Sequence, residues 1–254
     1  MKWYTEAAEQ GNAGEQYRLG YMYGQGEGVP KDYAEAIKWY TKAAEQGTVD
    51  AQYALGLMYR FGYGVAKDDA KAIKWYTKAA EQGFARAQYN LGYMYDEGAG
   101  APKDHAEAIK WYTKAAEQEL AVAQYNLGYM YYNGEGVTKG YVEAFKWHSK
   151  AAEHGHAGAQ AFIGVMYGNG DGVTRDFVLA YKWLYLSAAQ GNDFANNGLG
   201  ALEKQMTPAQ IAEARRELVR IGIDELAGAA VGDIANLRAG TELRSYRVAD
   251  FTEL

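Results

Sequence analysis

The sequence contains no cysteine. That excludes disulfides, thiolate metal ligands and a cysteine nucleophile. No run of about 18 apolar residues occurs, so no membrane-spanning helix is expected. Positive charge is not in excess. Lys and Arg number 26 against 32 Asp and Glu, for a formal net charge of −6. A dedicated nucleic-acid binder needs the opposite balance. The first residues, Met1-Lys2-Trp3-Tyr4-Thr5-Glu6, show no apolar stretch with a small-residue cleavage site. The sequence as it stands therefore reads as cytoplasmic, or as periplasmic or secreted if its N-terminus has been trimmed. Three prolines stand against 31 glycines and 23 tyrosines in 254 residues. That combination in so regular a chain points to repetition.

All six tryptophans lie on one lattice: Trp3, Trp39, Trp75, Trp111, Trp147 and Trp183. Each step is 36 residues, and a fixed period in the range of about 20–50 is the mark of a stacked repeat. Leu19, Leu55, Leu91, Leu127, Ile163 and Leu199 share one register, each followed directly by glycine. Within a copy, Ala51, Leu55, Met58 and Tyr59 make one face of a helix. Gly62-Tyr63-Gly64-Val65 then turns the chain. Residues 68–82 form a second helix with Ala72, Ile73, Tyr76, Ala79 and Ala80 on its apolar side. Gly83 ends that helix by taking positive φ. Asp32 and Asp104 open second helices as caps or first-turn anions.

Two features predict more than a helix count. A glycine inside the first helix costs about 1 kcal/mol against alanine, so its recurrence needs a reason. Gly56 faces the small Ala72 and Ala79, and the expectation is close approach of two backbones. Local departures are Glu119 in place of the helix-ending glycine and Gly140 in place of the opening aspartate. Altered turns are expected at both.

The pattern Ala-x-x-x-Leu-Gly-x-Met-Tyr, Gly-x-Gly-Val, Ala-x-x-Trp-x-x-x-Ala-Ala-x-x-Gly resembles the Sel-1-like repeat family, a branch of the tetratricopeptide-like superfamily. The resemblance covers about residues 1–221. It implies an all-α, right-handed superhelical solenoid of antiparallel helix pairs. The expected organisation is a half copy at 1–10, five full copies at about 13–190, and a diverged closing pair at about 192–221. Thr207 and Gln210 form a capping box around Pro208 in that closing pair. A C-terminal tail follows at 222–254, able to cap the array, lie in its groove or remain disordered.

Residues that carry chemistry are few. The histidines are His105, His148, His154 and His156, and the serines Ser149, Ser187 and Ser245. Ser149 follows His148, but neighbours on a helix point apart. Ser149 also holds the slot of Thr41, Thr77 and Thr113. His148, His154 and His156 cluster near one turn and read as surface residues rather than metal ligands. The Gly-x-Gly turns follow helices, whereas a phosphate loop follows a strand. Lys38, Lys74, Lys110 and their register mates form a stripe read as a solvated face. No catalytic residue, metal or cofactor is expected.

The other side of the first helix carries Tyr17 and Tyr21, Tyr53 and Leu57, Tyr89 and Tyr93, Tyr125 and Tyr129. These lie about half a turn from the core leucines. The resemblance implies that this side lines a concave groove, and tyrosine suits recognition. Positions that vary between copies, including Arg60, Arg86, Asp96 and Tyr132, would set specificity. With Ala161, Val165 and Asn197 in the tyrosine slots, the aromatic groove is expected to fade beyond residue 160. The predicted function is a non-catalytic scaffold binding a peptide or partner protein in this groove. The resemblance points the same way, to adaptors that are often bacterial and often exported. The alternatives are an immunity-type inhibitor that occludes a secreted effector enzyme and, in a different class, a β-lactam-binding or hydrolysing enzyme. The latter is credited to cysteine-rich members, whose disulfides this chain lacks. Oligomeric state is left open.

Overall fold

A computed structural model describes residues 2–220; the expected tail at 222–254 lies outside them. Every element among these residues is helical. They fall into two compact units, one running to Leu120 and one starting at Ala121. The N-terminal unit holds α1 (Lys2–Glu9), α2 (Ala13–Gln25), α3 (Tyr33–Glu45), α4 (Val49–Phe61), α5 (Asp69–Glu81), α6 (Ala85–Glu97) and α7 (His105–Glu117). The C-terminal unit holds α8 (Ala121–Asn133), α9 (Tyr141–Glu153), α10 (Ala157–Asn169), α11 (Phe177–Ala189), α12 (Asp193–Glu203) and α13 (Pro208–Arg220). Helices pair as hairpins, α2 with α3, α4 with α5, α6 with α7, α8 with α9 and α10 with α11. The closing segment departs from this scheme, because α13 packs back on α11. Leu202 and Leu218 join Tyr181 and Leu184 in its core.

Each first helix stops at a glycine in the left-handed region, such as Gly26 at φ +80° and Gly62 at φ +74°. Its N–H donates to the carbonyl four residues back, Met22 or Met58, at 2.9 Å. The chain is then tied across the turn. Asp68 N–H donates to Tyr59 C=O at 2.8 Å, and Asp104 N–H to Tyr95 C=O at 2.9 Å. The same aspartates cap the second helices: Asp32 accepts from the N–H groups of Ala34 and Glu35, and Asp104 from that of Glu107. The second glycine of a turn serves contact with the preceding hairpin. A Cβ on Gly100 would lie 2.6 Å from the Asp69 carbonyl oxygen.

The mid-helix glycines have a sharper cause than small facing alanines. The ring of the second helix fills the notch. A Cβ on Gly20 would meet Tyr40 Cδ1 at 2.7 Å, and one on Gly92 would meet Tyr112 Cδ1 at 2.8 Å. Gly56 receives Tyr76 in the same way. Tyr40, Tyr76 and Tyr112 are among the largest fully buried side chains. In the C-terminal unit His148 takes this place over Gly128 and Leu184 over Gly164.

The turn at Glu119 is not altered. Glu119 adopts φ +64°, as glycine does elsewhere, and keeps the same backbone bonds, Glu119 N–H to Ala116 C=O and Leu120 N–H to Ala115 C=O. A carboxylate side chain accepts the left-handed strain there at a cost of about 1–2 kcal/mol. At Gly140 the helix opens at φ −148°, as at the aspartates, but without a side-chain cap. The Thr207–Gln210 box forms as expected: Gln210 accepts from Thr207 N–H at 2.9 Å, and Thr207 Oγ1 from Gln210 N–H at 3.3 Å.

Replacing Gly92 by leucine is expected to lower stability by about 1–3 kcal/mol through overpacking against the Tyr112 ring. Thermal melting of the variant reads this, and an unchanged midpoint would contradict the notch.

Candidate partner-binding surface

The expected groove residues separate by depth. Tyr53 and Leu57 are buried to 1% and 0% exposure and belong to the core of the N-terminal unit. The Tyr53 ring lies 5.8 Å from Tyr76 and 5.0 Å from Phe84. Phe84 stands where other copies carry Asn12 or Thr48, and it covers the ring from the side. These two residues are therefore corrected from groove to core.

The first tyrosine of each pair leans on the ring that fills the notch. Tyr17 meets Tyr40 at 5.7 Å and Tyr89 meets Tyr112 at 5.8 Å. Burial, and then the Asp50 carboxylate, push the Tyr17 phenol up to about 12. The second tyrosine lies further out: Tyr21 and Tyr93 are half-buried, and Tyr129 is 40% exposed. Tyr17 and Tyr21 line an open recess of about 570 Å³ with Tyr4, Glu15, Arg18 and Glu27. The Arg18 guanidinium lies 4.8 Å over the Tyr4 ring.

The variable positions before the turn are matched to a partner at the start of the following helix. Arg60 pairs with Asp69 at 3.1 Å. One repeat on, Asp96 pairs with His105 Nδ1 at 2.8 Å. In the C-terminal unit the rings of Tyr132 and Tyr141 lie 5.0 Å apart. Three chemistries thus fill one geometric slot, nine residues apart in each case. Arg60 also lies 5.7 Å from the Tyr93 ring. Tyr132 donates its hydroxyl to Asp171 at 2.9 Å, and burial with that carboxylate raises its phenol to about 12. Arg86 is exposed.

The aromatic surface does not fade beyond residue 160. Ala161 is buried, but Phe162, one residue later, takes over. Its ring lies 4.8 Å from His148, 5.9 Å from Tyr125 and Tyr129, 5.6 Å from Tyr132 and 6.2 Å from Phe194. Phe194 is 56% exposed. The one-residue shift hides this hub from a register read at the tyrosine slots.

One other expectation needs revision. His148 and His156 are not surface residues: His148 has 0% exposure and His156 is half-buried, its Nδ1 accepting from Ala159 N–H at 3.2 Å. His154 is exposed. The lysine face is solvated but organised. Lys42, Lys78 and Lys114 lie 4.2–4.3 Å over Trp39, Trp75 and Trp111. Lys38 and Lys110 pair with Glu35 and Glu107 one turn earlier.

A buried glutamine link also escaped the sequence reading. Gln52 Nε2 donates to Ala44 C=O at 3.1 Å, on the preceding hairpin, while Gln52 Oε1 accepts from Gln82 Nε2 at 2.8 Å. Gln16 with Ala8 and Gln46, Gln88 with Ala80 and Gln118, and Gln160 with Ala152 and Gln190 repeat it. The signal was present as glutamines 30 residues apart.

The Sel1 repeat model matches residues 1–12, 16–48, 49–84, 85–120, 121–156 and 157–192. The chain belongs to the Sel1 repeat family. Among curated proteins none matches it. Solved Sel1 structures do. The c5321 protective antigen of uropathogenic Escherichia coli, which displays this fold, is 40% identical with a TM-score of 0.78. The match covers 87% of this chain and 49% of the antigen, so the chain spans about half that protein's length. A Sel1 repeat protein from Oxalobacter formigenes is also 40% identical, with a TM-score of 0.69, covering 75% of this chain and 76% of that one. The immunity protein Pa5087 of Pseudomonas aeruginosa is 26% identical over 72% of this chain and 68% of its own, with a TM-score of 0.44. A superposition that loose carries no argument about function. Among the described residues no helix is long and apolar enough to cross a membrane.

Replacing Gln88 by leucine is expected to cost the Sel1 array about 1–3 kcal/mol, because the buried Ala80 carbonyl loses its partner. A denaturant titration measures this, and an unchanged midpoint would show the link to be dispensable.

Proposed function

We propose that the protein is a non-catalytic scaffold that binds a peptide or partner protein through the aromatic side of its first helices. The observation that carries this reading is the recess of about 570 Å³ in the N-terminal unit, walled by Tyr4, Tyr17 and Tyr21. Aromatic rings left half-open beside charged groups make a typical docking surface, because they bury large area for little rotamer entropy. Stacked repeats use such extended faces for recognition. Glu15, Arg18 and Glu27 at the same recess supply charge of both signs for orientation. Arg60 and Asp96 pair within their hairpins, so on this reading selectivity in the N-terminal unit rests more on Tyr21, Arg86 and Tyr93, while in the C-terminal unit Tyr129 is an exposed ring. Tyr125 and Tyr89 support the surface from beneath.

The double variant Tyr21→Ala/Tyr93→Ala is expected to lose 10-fold or more in partner affinity, about 1–3 kcal/mol per ring, with helicity unchanged by circular dichroism. Affinity capture with mass spectrometry, comparing wild type and variant, identifies the partner and reads the loss. Tyr53→Ala is the control and should melt early, since that ring is core. Full capture by the double variant would overturn the proposal.

A further inference from the structure

Position 148 is the one place in the notch series where a titratable imidazole replaces a phenol or an alkyl chain. Tyr40, Tyr76 and Tyr112 precede it by multiples of the repeat, and Leu184 follows it. The His148 ring lies over the Gly128 backbone, where a Cβ would come within 2.9 Å of Nδ1. Neither nitrogen has a hydrogen-bond partner among the described residues. One side of the ring is stacked on Phe162 at 4.8 Å and 17°, and Tyr125 lies 5.5 Å away. Phe162 in turn holds the exposed rings of Tyr129 and Phe194.

We infer that acid opens the aromatic face of the C-terminal unit: protonation of His148 expels its ring from under Phe162, and the cluster that Phe162 makes with Tyr129 and Phe194 is lost, together with any docking on that face. The loss of docking rests on the binding reading above; the opening itself does not.

An imidazolium needs acceptors for two N–H groups, and no described residue accepts from either nitrogen of His148. From α8 the facing titratable group is the phenol of Tyr125, which burial raises so that it stays neutral; the Tyr129 ring lies against Phe162. From the cap of α10 comes His156, stacked on Tyr125 at 4.6 Å, which adds a second positive charge when protonated. Neighbouring turns of α9 present Ala144, Ala151 and Ala152, and α10 adds Ala159 and Ile163. None of these carries a compensating carboxylate. Burial, then His156, push His148 down to about 3; burial pushes His156 down to about 4. The unfolded or opened chain regains the ordinary value of 6.5. Below that value the open state binds more protons than the closed one, so stability is lost as pH falls. The opening equilibrium rises by up to about tenfold per histidine for each pH unit until the folded value is reached. Because repeats are coupled chiefly to their neighbours, the effect concentrates in α8, α9 and α10.

Hydrogen exchange on the full chain tests this, comparing pH 7.5 with pH 5.0 after correction for intrinsic rates. The expected result is at least tenfold faster corrected exchange at pH 5.0 across 121–169, with little change in α3–α6. His148→Tyr, which restores the residue of the other copies, and His148→Leu, which copies the Gly164–Leu184 pair, should each remove most of the effect. His156→Asn, which keeps a capping side chain, should remove part of it. Unchanged protection of 121–169 in the wild type at pH 5.0 would overturn the inference, as would an equal acid loss in both His148 variants. The readout needs no partner, so a failed capture experiment and a failed exchange experiment are distinguishable.

Discussion

A ring laid on bare backbone is the contact on which each hairpin depends. The first helix gives up a Cβ at Gly20, Gly56, Gly92, Gly128 and Gly164, and the second helix fills each notch with a large side chain. A mid-helix glycine is unfavourable by itself. It persists because burying a tyrosine ring against the opposite helix returns more than that penalty. The notch also fixes what lies above it. Tyr17, Tyr89 and Tyr125 rest on the ring below, so the outward aromatic face is a second layer on the same contact.

Much of the fold was legible because the repeat averages over its own noise. One glycine or aspartate says little, but five glycines in register specify a turn and four aspartates a cap, and Asp32, Asp68, Asp104 and Asp176 all cap as that register demands. What was not legible is what the register conceals. Arg60–Asp69, Asp96–His105 and Tyr132–Tyr141 are one slot in three chemistries, so a search for constant residues discards it. Tyr53 could not be separated from Tyr89 by its own identity; its burial shows only once Tyr76 and Phe84, 31 positions away, are placed beside it. Phe162 sits one residue off the tyrosine slot, about 100° around a helix, and its importance shows only once Phe194 and His148 are placed beside it. The closing pair failed as a hairpin because α13 finds its apolar partner on α11.

Polar links hold successive hairpins where apolar packing alone would leave their spacing loose. Gln16, Gln52 and Gln88 each join the preceding second helix to the end of their own. In the C-terminal unit Gln160 does the same. A buried amide that satisfies both donor and acceptor specifies one arrangement more sharply than a methylene surface does. Such rigidity suits the proposed scaffold role, in which the rings would have to be held in place before a partner arrives.

The notch is tested most directly by a double-mutant cycle between Gly92→Ala and Tyr112→Ala. Each single change should destabilise, the first by crowding the ring and the second by removing it. The account predicts strong coupling, with alanine at 92 costing at least about 1 kcal/mol less once the Tyr112 ring is gone. Additive effects at the two positions would contradict it.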